Sequence, residues 1–138
     1  MNGQINRNQA IIDEFRANSG KVSGHFEGRT LLLLHTVGAK TGLERVNPVA
    51  YVRDGERFVI IASKGGAPTN PGWYHNLVAH PLVTVEVGTE QFQARVEVVT
   101  EPERSRLYAK MVEMMPVFGE YPKRTTRVIP VIVLTRVG

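Results

Sequence analysis

The 138-residue chain contains no cysteine, which excludes disulfides, thiolate metal sites and cysteine nucleophiles together. Aromatic residues make up only 7%, with a single tryptophan. The interleaved aromatic and basic platform that holds single-stranded nucleic acid is therefore missing, and no nucleic-acid partner is expected. Long apolar runs are missing too, since nothing approaches the roughly 20 residues that cross a bilayer. The opening MNGQINRNQAIIDEF also lacks the apolar stretch of a signal peptide,. A cytoplasmic chain is expected, with the N-terminal helix as the element available for peripheral contact at the inner membrane face. Around His25, His35, His75 and His80 there is no metal-ligand spacing and no expected acidic neighbour,. No G-x-S-x-G elbow and no evident carboxylate pair points to hydrolysis.

What is present fits one globular domain spanning 1–138: hydrophobic residues are 42% and charged residues 22%, enough to build a single core. The formal charge of +4 attracts anions of any kind without choosing among them. An amphipathic helix is predicted over Asn6–Ser19, within an N-terminal segment 1–20, with Ile11, Ile12 and Phe15 on one side and Gly20 as the stop. After a polar, glycine-rich connection, Thr30–Val37 reads as a strand whose Leu31–Leu34 run is apolar enough to be buried on both faces. Arg45–Arg53 is extended and turns at Asp54-Gly55 into the partner strand Arg57–Ser63.

Asn70 and Pro71 predict an N-cap and first position for a short helix that ends before Pro81. A second hairpin follows from the alternation of Val83, Val85 and Val87 against that of Phe92, Ala94, Val96 and Val98. Thr100, Pro102 and Glu103 predict a capping box opening a helix to about Met115, with Leu107, Met111 and Met114 buried. The last strand, Val128–Val137, carries Pro130 and so reads as an edge or a bulge. Antiparallel neighbours joined by short turns predict a mainly β (α+β) antiparallel barrel or rolled sheet and exclude a Rossmann sheet.

Three constellations carry candidate chemistry. In Gly38–Arg45 (GAKTGLER) two glycines let backbone amides approach an anion, Thr41 adds a hydroxyl, and Lys40 and Arg45 bring charge. The segment reads as a phosphate cradle or as an exposed basic turn, and its order is not that of a Walker A loop. In Ala62–Pro68 (ASKGGAP) paired glycines after an apolar strand mark a place where a flat group lies against the backbone beside Lys64, or a loop without a ligand. In Pro71–Asn76 (PGWYHN), Trp73 reads as the wall of a planar ligand or as an ordinary core residue, and Asn76 as a clamp on the backbone of the preceding loop.

Taken together, GAKTG-x-x-RVNP, ASKGGAPTNPGWYHNL, PLVTVEVG and the closing strand resemble the deazaflavin-dependent nitroreductase family of actinobacterial oxidoreductases, from about Leu31 to the C-terminus. The resemblance implies a split β-barrel of the flavin-reductase-like type with flanking helices. It also implies coenzyme F420, an 8-hydroxy-5-deazaflavin with a phosphate and an anionic tail, delivering a hydride to a planar electron-poor acceptor such as a quinone, nitro compound or conjugated enone. By motif position Lys40, Thr41, Gly42 and Arg45 would hold the phosphate and tail, with Asn47 and Pro48 bordering the groove. Ala62, Ser63, Lys64, Gly66 and Ala67 would line the ring, and Trp73 and Asn76 would close one side. Met115, Phe118 and Tyr121 would form the acceptor pocket, with Ser63 and Tyr121 as the catalytic side chains. This pocket holds fewer hydroxyls than those of nitroimidazole-reducing members, which favours quinones. An FMN-dependent oxidase or reductase of the same barrel type is the alternative, and the oligomeric state is open.

Overall fold

The computed structural model of the chain describes residues 3–22 and 30–137, with side chains from residue 9 onward. The connection at 23–29, with His25, lies outside the described residues. One antiparallel sheet holds β1 (Leu31–Val37), β2 (Glu44–Ala50), β3 (Val52–Asp54), β4 (Arg57–Ile61), β5 (Leu82–Val87), β6 (Glu90–Val98) and β7 (Val131–Arg136), in the order β2-β1-β5-β6-β7-β4-β3. Three helices flank it, α1 (Gly3–Ala17), α2 (Gly72–Ala79) and α3 (Glu103–Met114). None of the described helices is long and apolar enough to cross a membrane.

The two edge strands are halves of one extended segment interrupted only at Tyr51: β2 pairs with β1, and β3 with β4. The sheet must roll for a single segment to pair with both of its ends. Closure is incomplete, because β3 covers β4 only as far as Val59 and β2 has no ladder with β4. Beyond Val59 the strands β4 and β2 thus flank an open seam, which makes this the split barrel of the flavin-reductase-like fold. At Asp54-Gly55 the chain reverses with Gly55 at φ 64°, a backbone that the two-residue hairpin turn requires and a side chain resists.

Period-2 alternation sorts the apolar residues between two sides of this rolled sheet. Leu32, Leu34, Phe58, Ile60, Ile132 and Leu134 fill the barrel. On the outside, Leu31 and Leu33 meet Ile12 and Phe15 of α1, while Val59, Ile61, Val131 and Val133 meet Leu107 and Met111 of α3. The leucine run is therefore buried on both faces, as its composition predicts. Each fully buried side chain contributes roughly 1.5–3 kcal/mol. Ile12 and Phe15, on the apolar side of α1, are buried against the barrel. Asp54 accepts from Arg57, Arg106 and Lys110, pinning α3 to the β3–β4 hairpin.

Several local expectations need correction. Pro71 itself takes the N-cap backbone of α2, because the Asn70 side chain is drawn to Arg127. At α3 the N-cap position falls to Pro102 and not Thr100, and the Glu101 carboxylate just before it accepts from the Ser105 amide and hydroxyl. Strand β7 is central, between β6 and β4; Pro130 sits one residue before it, where no ladder donor is needed. Met114, the last residue of α3, is 53% exposed, and Met115, four residues on from the buried Met111, is the buried one. His35 does have acidic neighbours: its ring nitrogens lie 2.8 Å from Glu44 and 2.6 Å from Glu86, with Arg16 on the same Glu86 carboxylate.

Candidate functional site

The register gathers distant segments at one end of the barrel. His35 stands opposite Thr84 and Val37 opposite Glu44, while Ile61 stands opposite Val131 and Val98 opposite Ile132. The turn 38–43 and the segments 62–81 and 99–130 consequently all leave from the same end. Asn76 of α2 joins two of them: its Oδ1 accepts from the Ala39 amide at 3.0 Å and its Nδ2 donates to Thr36 Oγ1 at 3.1 Å. Asn76 thus clamps the β1–β2 turn and not the loop before its own helix, against the sequence expectation. The two glycine-punctuated bends thus leave from the same end of the barrel.

The first bend is closed from within. Gly38 N donates to Leu43 O at 2.7 Å, Gly42 N to Gly38 O at 2.9 Å, and Leu43 N to Thr41 Oγ1 at 3.2 Å. Thr41 is used as an acceptor here, which leaves its own proton for an incoming anion. Arg45 stands opposite Thr36 and Asn47 opposite Leu34, so both are on the inner face at the seam, whereas Pro48, opposite Leu33, belongs to the outer face.

In the second bend Ala62 is fully buried and its amide donates to Pro130 O at 3.0 Å. Ser63 is 7% exposed, and its hydroxyl has no partner among the described residues. Lys64 is exposed and its Nζ donates to Thr69 Oγ1 at 3.2 Å. Gly66 lies against the turn Tyr121–Arg124: a Cβ there would stand 2.8 Å from Tyr121 O and 2.9 Å from Arg124 Cβ. Ala62 and Gly66 therefore shape the loop from behind, while Ser63, Lys64 and Ala67 keep surface. Arg127, which no local pattern singled out, donates to Ala62, Ser63 and Ala67 carbonyls and to Asn70.

Trp73 is half-buried and packs on the barrel core beside Tyr74. Of the expected acceptor pocket, Met115 and Phe118 belong to the cluster beneath α3, at 5% and 7% exposure. Tyr121 is half-buried, edge-on to Phe118 at 5.1 Å, with the Arg124 guanidinium 5.8 Å from its ring. The Phe118 carbonyl accepts from the buried Tyr108 hydroxyl at 2.6 Å, and burial pushes that phenol up to about 12.

Several cations at this end of the barrel are left without acids. Arg16 pairs with Glu86, Lys110 with Asp54 and Arg136 with Glu90, while Lys21, Arg53 and Arg95 also form no ion pair with any described residue. Lys40, Arg45, Lys64, Arg124 and Arg127 form no ion pair with any described residue. A set of unpaired cations, free amides and hydroxyls suits a polyanionic, phosphate-bearing ligand, and the residues present fit coenzyme F420 on that ground. A groove of about 580 Å³ on the barrel's flank, between Tyr51–Arg53 and α3, does not: its Lys110 is paired with Asp54 and its Arg53 stacks on Phe58 at 4.5 Å.

Fold and site together define a split-barrel protein built to receive an anionic coenzyme, and comparisons with known proteins carry this further. The family model described as F420H(2)-dependent quinone reductase matches residues 7–136. The F420H(2)-dependent quinone reductase of Mycobacterium tuberculosis strain H37Rv is 42% identical over 126 residues, covering 88% of this chain and 85% of the relative. Among solved structures, an F420-H2 dependent reductase superposes with a TM-score of 0.71 at 34% identity, covering 77% of this chain and 94% of that one. Another, described as a domain-swapped dimer, gives 0.72 at 31% identity over 95% and 96%. The chain belongs to the F420H(2)-dependent quinone reductase family.

Proposed function

We propose that this chain is an F420-dependent oxidoreductase that reduces a quinone, with 1–138 acting as one coenzyme-binding unit and the phosphate held at the β1–β2 turn. The observation that carries the site reading is that two bends whose cations lack acidic partners among the described residues leave from one end of the barrel, where Asn76 ties α2 to the first of them. When bound in reduced form, the coenzyme supplies a hydride from carbon-5 of its deazaflavin ring. Lys40, Thr41, Gly42 and Arg45 bind its phosphate and tail by charge-assisted hydrogen bonds. Asn47 edges the groove, and Pro48 stands behind it on the outer face. Ser63, Lys64 and Ala67 contact the ring from the loop that Ala62 and Gly66 shape, and Trp73 closes the side that Asn76 anchors.

The acceptor stacks on the free face of the ring beside Tyr121, over a floor made by Met115 and Phe118, so that reacting atoms are held within reach and water is kept out. The hydroxyls of Ser63 and Tyr121 are the proton donors nearest that position. The test is steady-state oxidation of reduced F420 by a menaquinone analogue, followed by the coenzyme's absorbance, with calorimetry of F420 and FMN alongside. Turnover with F420 and weak FMN binding are expected. Tight FMN binding without F420 binding would overturn the reading, and so would F420 binding without turnover of any quinone.

A further inference from the structure

We propose that Arg127 is the positioning residue of the coenzyme site: its guanidinium gathers the Ala62, Ser63 and Ala67 carbonyls and so turns the amides of Ser63 and Lys64 toward an anionic edge of the deazaflavin ring. The inference rests on the coenzyme site proposed above and adds to it a residue that no motif assigned.

The guanidinium reaches four acceptors on a loop about 60 residues upstream. Nε donates to Ala67 O at 2.8 Å and Nη1 to Asn70 Oδ1 at 2.6 Å. Ala62 O receives Nη1 and Nη2 at 3.2 and 3.3 Å, and Ser63 O receives Nη2 at 2.8 Å. In a planar trans peptide the carbonyl and the next N–H point in opposite directions. Holding Ala62 O and Ser63 O toward Arg127 therefore sends the Ser63 and Lys64 amides away from it.

Backbone dihedrals complete the arrangement. Ser63 is right-handed (φ −78°, ψ −39°), Lys64 left-handed at φ 48°, and Gly65 left-handed at φ 63°. A right-handed residue followed by a left-handed one curls successive amides toward a common point, a concavity that receives an anionic atom. The Gly66 and Ala67 amides are satisfied within the loop, at 2.9 and 3.1 Å. The three before them have no acceptor among the described residues. A lysine held in left-handed backbone needs an external constraint, and the arginine supplies it. The converging donors are uncharged amides, with the Lys64 ammonium drawn aside to Thr69, whereas Lys40 and Arg45 are on the other bend. A ring atom carrying partial or developing negative charge is thus the better match here, and the phosphate the better match there.

The test uses the full chain with two probes, coenzyme F420 and its riboside lacking phosphate and tail. For Arg127→Ala the expected results are faster hydrogen exchange at residues 63–67 of the unliganded protein and at least tenfold weaker riboside binding by Trp73 quenching. Millimolar guanidinium ion should restore most of that affinity and Arg127→Lys should not. Inorganic phosphate should compete with F420 at wild-type strength in the variant, a result that a merely structural arginine would not leave intact. Should Arg127→Ala not fold, Arg127→Gln carries the same titrations.

Riboside affinity within twofold of wild type would overturn the positioning role. Competition of phosphate with the riboside would place an inorganic anion in the nest and overturn the ring assignment. Failure of the wild type to bind either probe would instead sink the coenzyme site on which the inference rests.

Discussion

Removing the Asn76 side chain tests whether α2 is what holds the phosphate turn in place. Asn76→Ala deletes a hydrogen bond to the exposed Ala39 amide, which water can replace, and one to the Thr36 hydroxyl, on a residue only 2% exposed, which water cannot. At about 1 kcal/mol for each bond, with a somewhat larger share on the buried side, the loss is about 2 kcal/mol. An unfolding entropy near 2.1 cal/mol/K per residue makes that a fall in Tm of roughly 7 °C for a chain of this length. Asn76→Asp retains an acceptor for Ala39, and the Thr36 hydroxyl can rotate to donate to the carboxylate, so its stability should lie between wild type and Asn76→Ala. Its added negative charge stands beside the phosphate turn, so its F420 affinity should be the lowest of the three. Thermal denaturation and fluorescence titration therefore rank the two variants in opposite orders. An unchanged Tm for Asn76→Ala, or the same ranking in both assays, would refute the account of Asn76 as the clasp between α2 and the β1–β2 turn.

Arg45→Ala removes one charge-assisted contact of about 1.5–3 kcal/mol and should weaken F420 binding by about one to two decades; equal affinity in a fluorescence titration would discard the assignment. Tyr121→Phe should lower turnover more than coenzyme affinity, and equal loss of both would move Tyr121 into the coenzyme groove. The Asp54 carboxyl is held well below the ordinary carboxylate range, first by Arg106 and then by Arg57 and Lys110. A depressed folded value gives stability that is complete above the unfolded value near 4 and is lost as pH falls through the folded one. Urea midpoints of the wild type should accordingly drop below about pH 4 more steeply than those of Asp54→Asn, and parallel acid slopes would contradict the network.

Much of the fold was legible because its signals are local. Alternation of period two marks β5 and β6, the Asp54-Gly55 pair marks a hairpin, and four consecutive leucines can be buried only between two layers. Helix boundaries were less legible, since single side chains decide them. Asn70 would cap α2 but is taken by Arg127, and α3 stops one residue early, with Met115, four residues on from the buried Met111, buried in place of Met114.

Residue types and order alone determined that this chain carries two glycine-punctuated cationic bends on a β-rich frame, and which family it resembles. Only the tertiary structure decided what those bends touch. The register of antiparallel strands puts Asn76 on the β1–β2 turn and Arg127 beneath the 62–67 loop. Hydrogen bonds between segments some 40 and 60 residues apart leave no trace in local spacing, because their geometry is set by how the sheet rolls.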